Sequence, residues 1–174
     1  YDFEDRSSSR YFFGSSAIPL RAGTGFVSQK ELVYTSTTFS PMDNLSLTGA
    51  TSIPLMLMRD EYTETRFAVL GAKYSSQVAS NIYVGIGYDG FVHPGLHVSV
   101  PAAYATFGND LSHVTFSAGL GYTGFKYLNF VPLTFSWYKR LTSRVAFVTE
   151  NWMVLNPDLV IEYDYDKPLY KDSP

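Results

Sequence analysis

No cysteine occurs among the 174 residues, so disulfides, thiolate metal sites and thiol nucleophiles are excluded together. Charge is sparse as well: Asp, Glu, Lys and Arg make up 17% of the chain, against roughly 25% in ordinary soluble domains. The formal net charge is −3 and the isoelectric point about 5.5, which leaves no basic stripe to serve as an electrostatic footprint for nucleic acid. Long hydrophobic runs are missing too. The stretch Ile53 to Met58 contains a proline and the mean hydropathy is −0.04, so the sequence offers no helix of about 20 apolar residues to cross a membrane. The opening residues, Tyr1-Asp2-Phe3-Glu4-Asp5-Arg6, are polar and acidic where a leader would be apolar, and the sequence reads as a mature or cytosolic chain.

Aromatic residues are abundant instead, with 14 Tyr and 13 Phe, and this excludes intrinsic disorder. The length suits one domain with a full core or one small barrel.

The few charges avoid the interiors of the candidate strands. Between Gly90 and Phe125 the only Asp, Glu, Lys or Arg is Asp110, and Leu32 to Met42 and Tyr74 to Tyr88 contain none. Charge gathers at expected turns, as in Arg59-Asp60-Glu61, Lys139-Arg140 and Asp164 to Lys167. A sheet with one wet face would carry Lys and Glu along that face. Here the second face is small. Val114, Phe116, Ala118, Leu120 and Tyr122 alternate with Thr115, Ser117, Gly119, Gly121 and Thr123. The same period of two sets Ile82, Val84, Ile86 and Tyr88 against Tyr83, Gly85, Gly87 and Asp89, and sets Val98, Val100, Ala102 and Tyr104 against Ser99, Ala103 and Ala105. Leu45, Leu47, Ile53, Leu55 and Leu57 alternate with Ser46, Thr48, Ala50 and Ser52. No stretch shows a helical period.

Turn residues divide the chain into about ten strands, near 10–17, 25–39, 44–57, 62–75, 81–92, 97–107, 113–123, 126–138, 144–155 and 158–165. Most reach the 9–11 residues, roughly, that a tilted transmembrane strand requires. The short connectors join antiparallel neighbours and leave no room for crossover helices. Alternate connectors end on a shared pattern, Asn44-Leu45-Ser46-Leu47, Asn81-Ile82-Tyr83-Val84, His113-Val114-Thr115-Phe116 and Arg144-Val145-Ala146-Phe147. This hairpin repeat, about 31 to 37 residues long, fits an up-and-down meander. In that register Tyr62, Tyr88, Tyr122, Phe125 and Tyr127 mark one rim, and Tyr74, Phe107, Trp137 and Tyr138 the other, as two aromatic girdles. The expected fold is all-β, an antiparallel up-and-down transmembrane barrel of about ten visible strands, twelve when complete. Residues 1–9 form a polar segment, 10–166 the barrel and 167–174 a polar tail or the start of a further loop. The competing expectation is a soluble barrel whose aromatic face is a core that binds an apolar ligand.

The segment Arg10-Tyr11-Phe12-Phe13-Gly14-Ser15-Ser16-Ala17, followed by Pro19-Leu20-Arg21-Ala22-Gly23-Thr24-Gly25-Phe26 and Asp43-Asn44-Leu45-Ser46-Leu47, resembles a family of small, largely uncharacterised bacterial outer-membrane β-barrel proteins. Glu150-Asn151-Trp152 fits the same pattern. The resemblance implies a barrel in the bacterial outer membrane and transfers no catalytic residue. Such proteins finish on a strand with a terminal aromatic, whereas this chain ends Lys171-Asp172-Ser173-Pro174, so further strands are expected beyond it or the barrel is incomplete.

Ionisable residues within strands are the functional lead, because a lysine or arginine facing mid-bilayer lipid costs about 2–4 kcal/mol. Lys30, Glu64, Arg66, Lys73, Lys126 and Glu150 are therefore expected to face the lumen or a rim. Adjacent Lys30 and Glu31 must point to opposite faces, which calls for a bulge or a rim position. These charges either pair and plug the lumen or line a narrow conduit, with Gly85, Gly87, Gly119 and Gly121 leaving space inside. His93 and His97 flank Pro94-Gly95 without a third ligand, so no metal is expected. His113, with Ser112 and Asp110, is the one group a lipid-acting enzyme could use. Asn44-Leu45-Ser46 reads as a turn signal, not a glycosylation site. The expected function is structural or narrow, porin-like transport, not catalysis. No cofactor is expected, membrane lipid is the expected partner, nucleic acid is excluded, and an envelope protein partner is left open.

Overall fold

The structure, a computed structural model, describes residues 11, 14–30, 34–52, 67–93, 96–123, 126–127, 130–143 and 145–155. Eleven strands and no helix occur among these residues: β1 (Gly25–Lys30), β2 (Tyr34–Met42), β3 (Leu45–Thr51), β4 (Ala68–Ala79), β5 (Ile82–His93), β6 (Leu96–Asn109), β7 (Ser112–Gly119), the short β8 (Tyr122–Thr123) and β9 (Lys126–Tyr127), β10 (Val131–Arg140) and β11 (Ala146–Leu155). They form one sheet in the order β1-β2-β3-β4-β5-β6-β7-β10-β11, with β8 paired to β6 and β9 paired to β8. Every pairing is antiparallel. The sheet curls into a half-barrel.

Tight turns close one rim. Asn44 (φ 73°) and Asn81 (φ 60°) occupy the left-handed region in the β2-β3 and β4-β5 hairpins, where asparagine pays less than other side-chain-bearing residues. This accounts for the first two members of the repeat, and it makes Asn44-Leu45-Ser46 a turn with Ser46 buried on the inner face. The other two members differ: His113 lies inside β7, and Arg144 is outside the described residues.

Two expected boundaries are corrected. The single strand expected over 25–39 is a hairpin, in which Gly25 pairs with Phe39 and Lys30 with Tyr34. Lys30 is the last residue of β1, and Glu31 lies outside the described residues. The first expected strand, over 10–17, is not part of the sheet: its described residues lie inside the curl, where Tyr11, Ser16 and Ala17 are buried. The expected strand over 158–165 lies outside the described residues.

The two faces of the sheet differ in chemistry. Val27 (67% exposed), Leu70 (65%), Ile86 (67%), Phe116 and Phe135 stand on the outer face. The inner face buries Ser36, Thr38, Ser40, Ser46, Ser75, Thr106, Thr115 and Ser136, and the buried hydrophobic residues among those described are Tyr11, Ala17, Ile18, Ala50 and Tyr138. One strand reverses the expected sizes. On β6 the smaller set, Ala103 and Ala105, pairs with Ile86 and Val84 on the outer face, while Ala102 and Tyr104 pair with Gly87 and Gly85 on the inner face. The larger set turns inward there because its partners across the ladder are glycines, and the Tyr104 ring lies over Gly87, 3.0 Å from where a Cβ would stand.

Candidate functional site

The N-terminal segment is tied to the inner face through four strands. The Tyr11 hydroxyl donates to Thr115 Oγ1 (2.7 Å), which is 2.7 Å from Thr106 Oγ1, and Thr106 Oγ1 also accepts from the Ala17 N–H (2.8 Å). The Gly14 N–H donates to Glu150 Oε1 (2.8 Å), and Lys73 Nζ donates to the Ser16 carbonyl (2.5 Å). Burial lifts the Tyr11 phenol well above its ordinary range, so it serves as a neutral donor. A backbone segment enclosed by a sheet has amides and carbonyls to satisfy, and threonine, lysine and glutamate at these positions satisfy them.

The segment leaves the interior at the tight-turn rim. Ser40 Oγ lies within reach of the carbonyl oxygens of Leu20 (3.3 Å), Met42 (2.9 Å) and Leu45 (2.7 Å), and its backbone exchanges hydrogen bonds with Gly23 and Thr24. Asp43 Oδ1 accepts from the Ala22 N–H at 2.8 Å. Gly23 turns the chain into β1 at φ 73°.

Of the charged residues expected to face inward, Lys73 and Glu150 stand on the inner face and hold the N-terminal segment; Glu150 Oε1 also accepts from Trp152 Nε1 at 2.8 Å. Lys30 ends β1 opposite Tyr34, and Lys126 pairs with Thr123 in the β8-β9 hairpin. Glu64, Arg66 and Tyr62 lie outside the described residues, as does Phe125. Asp89 was not singled out in the sequence, yet it lies two positions along the inner face of β5 from Gly87 and lines the same cavity as Lys73. Its signal was the alternation itself, which placed it among Tyr83, Gly85 and Gly87.

The aromatic residues divide between the two faces. Tyr74, Phe107 and Trp137 stand on the outer face toward the tight-turn rim, and Tyr88 stands on the outer face toward the opposite rim. Tyr122 pairs with Ser99, whose hydroxyl is 2.7 Å from the Tyr88 hydroxyl, and Tyr127 pairs with Tyr122. Tyr138 does not join Trp137. Neighbours on a strand take opposite faces, and Tyr138 is 1% exposed on the inner face.

His113 is 2% exposed. Its ring stacks on Tyr138 at 5.0 Å and meets Tyr11 edge-on at 5.7 Å, its Nδ1 is 3.0 Å from the Asn109 carbonyl, and its Nε2 has no partner among the described residues. Its hydrogen-bond partner among the described residues is thus the Asn109 carbonyl, not Ser112 or Asp110. His93 and His97 point to opposite faces, since Val92 pairs with His97 and His93 with Leu96. Among the described residues no cluster of three metal-ligating side chains occurs.

The inner-face glycines do not leave open space. Tyr104 fills the room over Gly87, the Phe130 ring occupies that over Gly121, Ser75 stands against Gly85, and Val100 with Pro132 crowds Gly119. Compared with family models, curated proteins and solved structures, the chain matches none.

Proposed function

We propose that the chain is a transmembrane β-barrel of the bacterial outer membrane, with a lumen largely filled by its own N-terminal segment and with a structural or narrow transport role. The observation that carries this reading is the inversion of polarity across the sheet. Side chains such as Leu70 and Ile86 point outward while serine and threonine are buried. Water penalises that arrangement, because apolar area is left hydrated while hydroxyls are desolvated. Lipid favours it, because the outer face is then solvated by acyl chains and the backbone bonds only within the sheet. Strands of 12 residues in β4 and β5 and 14 in β6 supply the needed length. The soluble alternative would leave Val27, Leu70, Ile86, Phe116 and Phe135 facing water.

The test is extraction of the full chain from membranes in mild detergent, followed by gel migration with and without boiling. A heat-dependent shift in the membrane fraction is the expected result, and recovery from the soluble fraction without a shift overturns the reading. Planar-bilayer conductance then separates the two roles. A narrow conduit gives small conductance whose ion selectivity moves toward cations in Lys73→Glu, and a silent bilayer assigns the structural role.

A further inference from the structure

Between the N-terminal segment and the wall lies a cavity of about 340 Å³, within reach of the size range of small-ligand pockets. Its wall carries the hydroxyls of Ser28, Ser36, Thr38, Thr48, Ser117 and Thr134, drawn from β1, β2, β3, β7 and β10. Facing the same space are one carboxylate, Asp89, and one ammonium, Lys73. The Asp89 carboxylate and the Lys73 ammonium interact electrostatically. Asp89 lies over Gly71, where any Cβ would overlap its oxygen, so the absence of a side chain on β4 fixes where the carboxylate sits. Tyr104 lies over Gly87 in the same way, directly across the ladder from Lys73.

The cavity continues into an aromatic ladder. Tyr34 lines it and stacks on Phe67 (6.2 Å, 14°), which stacks on Phe91 (5.7 Å, 23°), which stacks on His93 (6.4 Å, 6°). Phe67 and Phe91 sit two residues along the inner face from Val69 and Asp89, both of which line the cavity. The rings turn their faces to one another, and Tyr34 is the member of the ladder that lines the cavity.

These groups select by elimination. Lys73 and Asp89 act on each other across the cavity and offset one another's charge, so the space favours neither an anion nor a cation. Thr38 pairs with Thr48 and Ser117 with Thr134, and an apolar ligand would leave the remaining hydroxyls, of Ser28 and Ser36, and the two charges without a polar partner from the ligand. A neutral polyol meets the hydroxyls and both charges as donor and acceptor at once, and the C–H groups of its ring pack against Tyr34, which lines the cavity. We propose that this cavity binds a neutral saccharide of one or two rings, with Asp89 and Lys73 holding its hydroxyl groups and Tyr34 packing against its ring. The proposal rests on the membrane-barrel reading only in that the wall of the cavity is the inner face of that barrel.

The test is calorimetric titration of the full-length, detergent-extracted protein with maltose and sucrose, alongside choline and benzoate, after the heat-dependent gel shift has been scored on the same sample. Binding of a disaccharide that weakens about tenfold or more in both Asp89→Asn and Tyr34→Ala, but not in the outer-face variant Tyr74→Ala, is the expected result. Thr48→Val serves as the second inner-wall variant if Tyr34→Ala fails to fold. Choline binding without saccharide binding, saccharide affinity indifferent to the inner-wall variants, or no binding by protein that shows the gel shift would each overturn the proposal. Saccharide binding by protein that shows no gel shift would sustain the cavity and overturn the barrel reading instead.

Discussion

Thr115 links two hydrogen bonds at a buried point, one to Tyr11 and one to Thr106. Thr115→Val keeps the shape, removes both bonds and leaves the Tyr11 phenol without an acceptor, at a cost of about 1–3 kcal/mol. Tyr11→Phe removes only a donor and leaves the Thr106-Thr115 contact intact, so its cost is smaller, about 1 kcal/mol. Urea unfolding in detergent micelles should rank the two in that order, and equal costs would mean that the chain from Tyr11 to Ala17 is not cooperative. The same scale shows what a sequence withholds. Trp137 and Tyr138 are equally suited to a girdle by composition, but they are adjacent, and only register decides which one faces outward. The His113 pairing with Tyr138 was likewise invisible, because the two residues meet across the β7-β10 ladder.

At the scale of elements, β5 provides the sharpest discrimination between a wall facing lipid and one facing water. Ile86 is 67% exposed near the middle of that strand. In a bilayer Ile86→Arg should destabilise the protein by about 2–4 kcal/mol, whereas at an exposed site in water the same change stays within about 0.5 kcal/mol. Equilibrium unfolding from lipid vesicles distinguishes the two values. The N-terminal segment makes a second element-level prediction: deleting residues 1–18 removes the donors and carbonyls bound by Thr106, Glu150 and Lys73. Bilayer conductance is then expected to rise several-fold over that of the full chain, and unchanged conductance would show that the wall alone closes the lumen. The antiparallel hairpins of β4 to β7 were legible because charge-free alternation and Asn-marked turns are local signals. The segment over 10–17 reads as a strand from its sequence because its aromatic and small residues match the composition of the strands. Its true partners lie as far as 89 residues away in sequence at Thr106 and 136 at Glu150, beyond the reach of any local pattern.

For the whole molecule, the polarity of the two faces was already written in the Gly, Ser and Thr rows opposite Val, Phe and Leu, because a side-chain period of two fixes everything but the choice of side. What fills the inside was not legible, since the inner glycines read as empty space until neighbouring rings were found over them. The charges are few enough that their placement tunes the interior without holding the fold. Lys73→Met should therefore leave the heat-dependent gel shift in place while lowering its midpoint by several degrees, through loss of the bond to Ser16, at about 1.5–3 kcal/mol for a charged donor. A midpoint that does not move would place the N-terminal segment's hold elsewhere.

A chain whose interior is serine and threonine has little to collapse around in buffer. Hydrophobic collapse there gathers Val27, Leu70, Ile86 and Phe116 inward and turns the sheet inside out, which makes the aqueous compact state a trap and not an intermediate. On the membrane-barrel reading proposed above, productive folding starts where apolar surface no longer needs hiding, at the edge of a bilayer or micelle. On that reading the chain is expected to reach the bilayer extended, because collapse on the way would bury the face that lipid is to cover.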